Sequence, residues 1–299
     1  MSEVLAPTRR DEAFRYSDID ALAGVWPVQR EAITIAAGAS GALSLVLEGG
    51  GAVARHLVIT LEAGASYDLR ILNAEASFGR LAIDARLGEG AEFTLGAAQL
   101  GAGAQVLEIV TEVHHLAPDA TSRQVIRSVL AGESTGTYLG KVAVARGAIG
   151  TDSEQSVRAM LLDRTATANA KPELEIYADD VKCAHGCAVG ELDAGALFYL
   201  ASRGLPPAEA KKLMLQAFVA EAFTGAPEEE RLQALALERL GALVCMVILK
   251  PSPSLSRGGG PPAGLVVEGY WQAAPPSALT RCHLPETSSG RISKAISPA

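Results

Sequence analysis

The sequence predicts a mainly β protein whose core is a right-handed parallel β-helix, a solenoid, with a short N-terminal helical lead-in and a C-terminal helical segment. Three observations support this prediction. Glycine–alanine pairs recur at a fixed spacing in the first third of the chain, apolar residues recur at twice that spacing, and the apolar period changes from two towards 3.6 at Asp193. A period of two is typical of strands, and a period of 3.6 is typical of helices.

The glycine–alanine pairs follow a 13-residue period that only the position at Ser77 breaks, and apolar residues repeat at 26 residues. Like residues stacked at a fixed interval are how a solenoid fills its interior. We therefore expect each short unit to supply one strand and one glycine corner, so that two units make one turn. A β-sandwich with regular turns is the alternative, since it would not require such stacking. The pairs begin at Gly38, Gly51, Gly64, Gly90 and Gly103, and the apolar series are Leu43, Leu69 and Leu95; Leu57, Ile83 and Ile109; and Leu61, Leu87 and Val113.

Four segments follow from these patterns. They are a helical lead-in at 1–30, the β-helix core at 31–192, a helical segment at 193–249, and a tail rich in Pro, Ser and Gly at 250–299. Within the lead-in, Asp18 is expected to cap a short helix. The tail is expected to be disordered, because its composition cannot bury enough apolar surface to offset the entropy of ordering it.

Capping residues divide the helical segment into three helices. Asp193 is a good N-cap, Gly204 a stop, and Pro206 and Pro207 open the second helix. Pro227 precedes the third helix, which carries glutamates in its first turn. The apolar face predicted for the second helix consists of Leu213, Leu215, Phe218, Val219 and Phe223.

Composition and charge exclude several classes of function. The net charge of −8 argues against nucleic-acid binding, which needs clustered Lys and Arg. The N-terminus lacks the apolar core of a signal peptide, and the most apolar run, Leu240–Leu249, is too short to span a membrane. The glycine runs at Gly49–Gly51 and Gly258–Gly260 lack the Lys and Ser or Thr of a phosphate loop. We expect a cytoplasmic protein with reduced thiols that binds no nucleotide, nucleic acid or membrane.

The stretch from Lys171 to Gly204 contains the candidate site. If its strand pattern continues, Cys183, His185 and Cys187 share one face, and thiol and imidazole are suitable ligands for iron, zinc or copper. A straight strand projects its ligands in parallel, so we expect an open site that another strand or chain completes. The alternative is that both cysteines are small buried hydrophobes and His185 is a satisfied histidine at the end of a strand.

Two other pairs of polar residues are weaker candidates. His114 and His115 are adjacent, so on a strand they face opposite ways, and a surface or corner position is the favoured interpretation. Asp179 and Asp180 would also face apart on a strand and have no evident partner for acid–base chemistry.

Several long runs resemble the SufB/SufD family, in its SufD branch, of the SUF iron–sulfur cluster assembly system. The resemblance is carried by PELEIYADDVKCAHG, then VGELD and LFYLASRG, and upstream by TYLGKVAVARGAIGTDSEQSVRAMLL and RRDEAFRYSDIDAL. These runs occur in the family's order between Arg9 and about Phe223. Members of the family have a parallel β-helix, in agreement with the fold predicted from the period.

The resemblance implies a non-catalytic scaffold. It assigns Cys183 and His185 as shared ligands of iron or of a transient iron–sulfur cluster at an interface with a SufB-type subunit. Cys187 lies where the family commonly has a small residue, so it is either an extra thiol ligand or a substitute for alanine. A SufC-type ATPase would dock on the C-terminal helices, and the isolated chain could form a homodimer.

A β-helix carbohydrate-active enzyme, a lyase or hydrolase, is the alternative function. It would require carboxylates clustered on one face of the solenoid, and usually export and aromatic sugar platforms. The chain has only 5% aromatic residues and no signal sequence is evident.

Overall fold

In the computed structural model, which describes residues 7–249 and the side chains of 7–243, twelve strands wind into a six-turn parallel solenoid. Successive strands alternate between two six-stranded parallel sheets. The predicted parallel β-helix is therefore confirmed. The first sheet contains β1 (Arg30–Ile35), β3 (Ala52–Leu61), β5 (Phe78–Leu87), β7 (Val106–His115), β9 (Thr135–Val144) and β11 (Thr167–Ile176). The second sheet contains β2 (Ser40–Leu47), β4 (Ser66–Asn73), β6 (Glu92–Gly101), β8 (Thr121–Leu130), β10 (Asp152–Leu161) and β12 (Lys182–Gly190).

Helices lie at both ends of the described chain. Before the strands come a 3₁₀ turn and a short helix, and after them come three longer helices, as predicted. No helix in the stretch 7–249 has the length and apolarity needed to cross a membrane. The predicted tail at 250–299 lies outside the described residues. The helical elements are the 3₁₀ turn Glu12–Phe14, α1 (Ile19–Ala23), α2 (Ala194–Ser202), α3 (Pro207–Ala220) and α4 (Glu229–Leu249).

The strand register confirms the 26-residue period in the first turns. Leu43 aligns with Leu69, and Leu69 aligns with Leu95, in the second sheet. Leu57 aligns with Ile83 in the first sheet. These side chains are buried or half-buried between the sheets, where they contribute to one continuous apolar core.

The period lengthens at the third turn, where β6 has ten residues and β4 has eight. The predicted stacking of Ile109 on Ile83 and of Val113 on Leu87 is therefore wrong by two residues, because both align with positions two residues earlier in β5. The strands still pair in parallel, so a longer turn changes which side chains stack without ending the solenoid.

One corner of the solenoid is a column of left-handed residues, one from each turn. The amide of each of the first five donates to a carbonyl one turn further along the chain, at 2.7–3.0 Å. Glycine adopts positive φ without strain, and Asp is among the few other residues that tolerate it. The column consists of Gly38, Gly64, Gly90, Asp119, Gly150 and Asp180.

The glycine corners are thus confirmed with one correction. Gly103 also has a positive φ, in the opposite corner. At Gly51 the expectation is wrong, because Gly49 is the residue with positive φ in that turn.

The lead-in is held on the outer face of the first sheet by a buried ion pair. The predicted cap is confirmed, since the Asp18 carboxylate accepts from the amide of Ala21 at 3.0 Å. Arg80 pairs with Glu108, which is fully buried, and the Ser17 hydroxyl donates to the same carboxylate at 2.7 Å. Removing either partner of a buried ion pair is strongly destabilising. Because Ser17 bonds to this pair, the lead-in is held in one position on the sheet.

Helices α3 and α4 cover the outer face of the second sheet. The predicted N-caps and proline starts are confirmed: the Asp193 carboxylate accepts from two amides of α2, and α3 begins at Pro207. On α3, Leu213 is 47% exposed and does not belong to the buried face. At about 100° per residue it lies on the opposite side of the helix from Leu215. The apolar layer between helices and sheet includes Leu72, Leu100, Val129, Leu215, Phe218, Phe223, Leu232, Leu240 and Leu243.

Two arginines fasten the end of α3 to the sheet. Arg70 donates to the carbonyl of Ala222 at 2.9 Å. Arg127 donates to the carboxylate of Glu221 at 2.7 Å and to the carbonyl of Ser156, on β10, at 2.8 Å. Arg127 therefore connects the helices to the strand that lies next to β12.

Gly96 is required where the helices approach the second sheet. A Cβ at this position would lie 1.8 Å from the carbonyl oxygen of Ala222. We expect Gly96→Ala to reduce the free energy of unfolding by roughly 3 kcal/mol, because the helices must shift to relieve the overlap. Urea denaturation monitored by circular dichroism measures this change. Gly186→Ala is the matched control, since nothing lies within 4 Å of its added Cβ, and a similar loss there would contradict this account.

Candidate functional site

The candidate ligands lie on β12, at the end of the second sheet. In the described part of the chain β12 pairs with β10 alone, so its other edge is free. Cys183 aligns with Ser153, and His185 aligns with Gln155. Both residues beneath are buried, so the two candidates face the interior of the solenoid and lie on one face, as the strand pattern predicted. Cys187 stacks on the same side and is exposed.

Two interior columns become polar as they approach this end. One begins with leucines and ends with glutamines beneath His185, and the other begins with aromatic rings and ends with serines beneath Cys183. The solenoid therefore has an apolar half and a half with a buried polar interior. The columns are Leu43, Leu69, Leu95, Gln124, Gln155 and His185, and Tyr67, Phe93, Ser122, Ser153 and Cys183.

Sequence reasoning missed these polar columns. The signal that could have found one of them is the 26-residue series Leu43, Leu69 and Leu95, which Gln124, Gln155 and His185 continue. The register offset rises to 29–31 residues in the last turns of this sheet, and a fixed period no longer locates the partners.

A hydrogen-bonded cluster fills the interior behind His185. The oxygen of the Gln124 amide accepts from the hydroxyls of Thr111 at 3.0 Å and Tyr138 at 3.1 Å. The amide nitrogen of Gln155 donates to the Tyr138 oxygen at 3.2 Å. Burial raises the pKa of Tyr138, so its hydroxyl keeps its proton and remains a donor. The cluster is thus a defined polar network within the solenoid.

A second chain of hydrogen bonds lies beneath Cys183. The Nε2 atom of His115 lies 2.9 Å from the Ser122 hydroxyl, which lies 2.8 Å from the Ser153 hydroxyl. The surface or corner interpretation is wrong for His115, which is fully buried, because a strand that alternates faces places one of two adjacent residues inside. His114 is on the outer face, with its Nε2 3.4 Å from a carboxylate oxygen of Glu112.

Partial desolvation raises the pKa of both thiols of β12 and so favours their protonated form. Desolvation raises the pKa of Cys183, and the nearby carboxylate of Asp152 raises it further. Desolvation also raises the pKa of Cys187. A thiol must lose its proton to bind a metal, so metal binding here is coupled to proton release.

The histidine has one buried nitrogen without a protein partner. Among the described residues, neither the Nδ1 of His185 nor the Oε1 of Gln155 has a hydrogen-bond partner. Residues 7–243 contain no group of three or more metal-binding side chains placed to hold an ion. The ligand set on β12 would accordingly need further ligands from elsewhere.

Asp179 and Asp180 belong to the corner between β11 and β12, so the assumption that they lie on a strand is wrong. Asp180 has a φ of 53° and is the last residue of the left-handed column. Its carbonyl accepts from the amide of Gly150 at 3.0 Å. This residue therefore fixes the turn that leads into β12.

Large apolar side chains are exposed near the free end. Ile176 and Tyr177 at the end of β11, and Val189 on β12, are 42–63% exposed. On α2, Phe198 and Tyr199 are 76% and 57% exposed. Exposed apolar groups beside an unpaired strand edge are typical of surfaces that bind other proteins.

The family model for the SufBD core domain of the SUF system for FeS cluster assembly matches residues 33–218, from β1 into α3 and through β12. This match covers more than half of the chain. The chain belongs to the SufBD family. The resemblance predicted from the sequence runs is confirmed.

Two curated SufD proteins agree with this assignment, and a third curated protein is also similar. The iron–sulfur cluster assembly protein SufD of Escherichia coli is 36% identical over 137 residues, which are 46% of this chain and 32% of that protein. SufD of Bacillus subtilis is 30% identical over 130 residues, 44% of this chain and 30% of that protein. A chloroplastic protein of Arabidopsis thaliana is 32% identical over 171 residues, 56% of this chain and 36% of that protein. The chain thus spans about a third of the length of these relatives.

Burial of His115 makes stability depend on pH. Burial lowers its pKa in the folded protein to about 4, whereas an unfolded histidine titrates near 6.5. The unfolded state therefore binds more protons than the folded state between these values, and stability falls as the pH drops from 6.5 towards 4.

We expect His115→Gln to remove this dependence, which amounts to about 3 kcal/mol at most. The measurement is the free energy of unfolding at several pH values, taken as the difference between the two proteins so that the carboxylates cancel. His114→Gln, on the outer face, is the matched control. An equal pH slope in wild type and His115→Gln would refute the assignment.

Proposed function

We propose that this chain is a non-catalytic scaffold subunit of SUF iron–sulfur cluster assembly. The observation that carries the proposal is the position of β12, a free edge strand that places a cysteine and a histidine on one face at the end of a polar interior. Membership of the SufBD family supports assembly as the process. The family match gives no support to the carbohydrate-active alternative.

Cys183 and His185 are the proposed ligands, and iron or a nascent cluster is their substrate. Thiolate and imidazole both bind iron in iron–sulfur proteins. They lie two residues apart on one strand, so they can supply only part of a coordination shell. The remaining ligands would come from the partner, and the cluster would form between the two chains. Cys187, exposed on the same strand, is a third candidate ligand and the second thiol.

The proposed partner at the free edge is a SufB-type subunit. Within residues 7–249, β11 and β12 each have one unpaired edge whose backbone groups can pair with strands of another chain, and Ile176, Tyr177 and Val189 supply apolar area beside them. A second copy of this chain could occupy the same edge when the partner is absent. This accounts for the predicted homodimer in isolation.

The proposed docking site of a SufC-type ATPase is the outer face of the C-terminal helices. Phe198, Tyr199 and Leu213 are exposed there, while the inner faces of α3 and α4 pack on the sheet. The helices can therefore cover the sheet and bind a partner with different faces. In this assignment the ATPase binds the nucleotide, this chain binds none, and the complex works in the cytoplasm. The segment boundaries at 31 and 193 stay predictions.

The two interfaces can be tested separately by co-expression of tagged chain with the SufB-type and SufC-type proteins of its own genome. We expect Val189→Asp to lose the SufB-type subunit and retain the ATPase, because a buried unpaired charge weakens the strand edge interface. Phe198→Asp should show the reverse. Size-exclusion chromatography with mass determination measures both. If the unsubstituted chain elutes alone while its partners associate, the proposed scaffold role is wrong.

The ligand role is tested by His185→Ala. Loss of the imidazole should leave the fold intact, since this side chain is only half-buried, and should impair cluster supply in cells that depend on this system. Cys183→Ala should have the same effect. His114→Ala is the matched control, because that histidine lies on the outer face of the first sheet. Normal cluster supply with His185→Ala would exclude the proposed role.

A further inference from the structure

The glutamine beneath His185 occupies a fixed position. Gln155 is fully buried and is the direct neighbour of His185 in the parallel register, on the same interior face. Adjacent strands lie about 4.8 Å apart, so consecutive side chains of an interior column are within reach of each other. The other neighbour of Gln155 in this column is Gln124, which lies on the side away from His185.

The cluster behind Gln155 determines which way its amide points. Thr111 and Tyr138 both donate to the Oε1 of Gln124. The Tyr138 hydroxyl has then used its one proton, so its oxygen can only accept from Gln155. With Gln124 in this orientation, Gln155 presents its NH₂ group to Tyr138 at 3.2 Å, and its carbonyl oxygen is the end left over.

Two buried atoms in adjacent positions of the column now lack protein partners within the described chain. The Oε1 of Gln155 is an acceptor without a donor, and the Nδ1 of His185 is a nitrogen without a partner. Buried polar atoms in proteins are nearly always hydrogen-bonded, directly or through ordered water. As positioned, the two atoms are not hydrogen-bonded to each other, but a carbonyl oxygen and an imidazole N–H are a matching acceptor and donor.

We propose that Gln155 is a positioning residue for His185. The two side chains turn towards each other so that the Oε1 of Gln155 accepts a hydrogen bond directly from Nδ1–H, and this bond holds the neutral imidazole in the Nδ1–H tautomer. The lone pair of His185 then resides on Nε2. This inference rests on the proposed function, in which that lone pair binds iron. Histidines that bind metals commonly donate their other N–H to a carbonyl or carboxylate, which fixes the tautomer and the ring orientation.

The amide nitrogen of Gln124 also lacks a protein partner among the described residues, and it could donate to the same oxygen of Gln155. A carbonyl oxygen has two lone pairs, so this second bond is compatible with the first. If Gln124 were the only donor, the tautomer of His185 would not depend on Gln155.

The tautomer is measured by NMR on the full chain with ¹⁵N-labelled histidine, at pH 9, without iron or partners. The shifts of the two ring nitrogens distinguish the tautomers, and His185→Ala identifies the signals. We expect mainly Nδ1–H in the unsubstituted chain. Gln155→Leu should convert the ring mainly to Nε2–H, the form favoured by an unconstrained side chain. Gln155→Glu keeps an acceptor and should retain Nδ1–H.

Gln99→Leu is the matched control. Gln99 is another fully buried interior glutamine, bonded to the carbonyl of Leu107 at 3.0 Å, and it lies in a different column. Mainly Nε2–H in the unsubstituted chain overturns the proposal, even if Gln155→Leu does not fold. The proposal is also overturned if Gln155→Leu leaves the tautomer unchanged, if Gln155→Glu loses Nδ1–H, or if Gln99→Leu has the same effect as Gln155→Leu. Because the readout needs neither cluster nor partner, its failure is separate from failure of the scaffold role.

Discussion

Parallel stacking of one turn on the next is the constraint on which the rest of this structure depends. Each interior side chain lies on the one aligned with it in the preceding turn, so the interior is a set of columns. Hydrogen bonds between the strands fix the columns, and the left-handed corner residues hold the turns in step. A residue in this protein therefore acquires its surroundings from positions about 26–32 residues away.

Stacking also explains how a polar interior is tolerated near the candidate site. A single buried glutamine in an apolar core costs stability, whereas stacked glutamines, serines and a tyrosine can satisfy one another. The network of Thr111, Gln124, Tyr138 and Gln155 does this in part, with hydrogen bonds of 3.0–3.2 Å that leave one amide atom of each glutamine without a partner among the described residues. His185 and Cys183 then continue columns that are already polar, and they need not be accommodated among leucines.

Much of the fold could be predicted because it is local or strictly periodic. Asp18, Asp193 and Pro207 mark helix starts through their own capping chemistry, and Leu43, Leu69 and Leu95 repeat at the period of the first turns. The later stacking partners could not be found this way, because β6 gains two residues and subsequent corners vary in length. That the candidate residues Cys183 and His185 share one face was predicted from the alternation along one strand. Gln155 could not be predicted from the sequence in this way, because it becomes a neighbour of His185 only through the pairing of β10 with β12.

In two interior columns the residues change from apolar in the first turns to polar in the last turns, so the two ends of the solenoid differ. The interiors of its first turns share one length and one kind of filling, whereas the interiors of its last turns are individual. Whole turns could be gained or lost in evolution at the apolar end without altering any neighbour of His185. The length of the solenoid, and with it the distance between its two ends, can therefore vary while the interior neighbours of the candidate ligands stay the same.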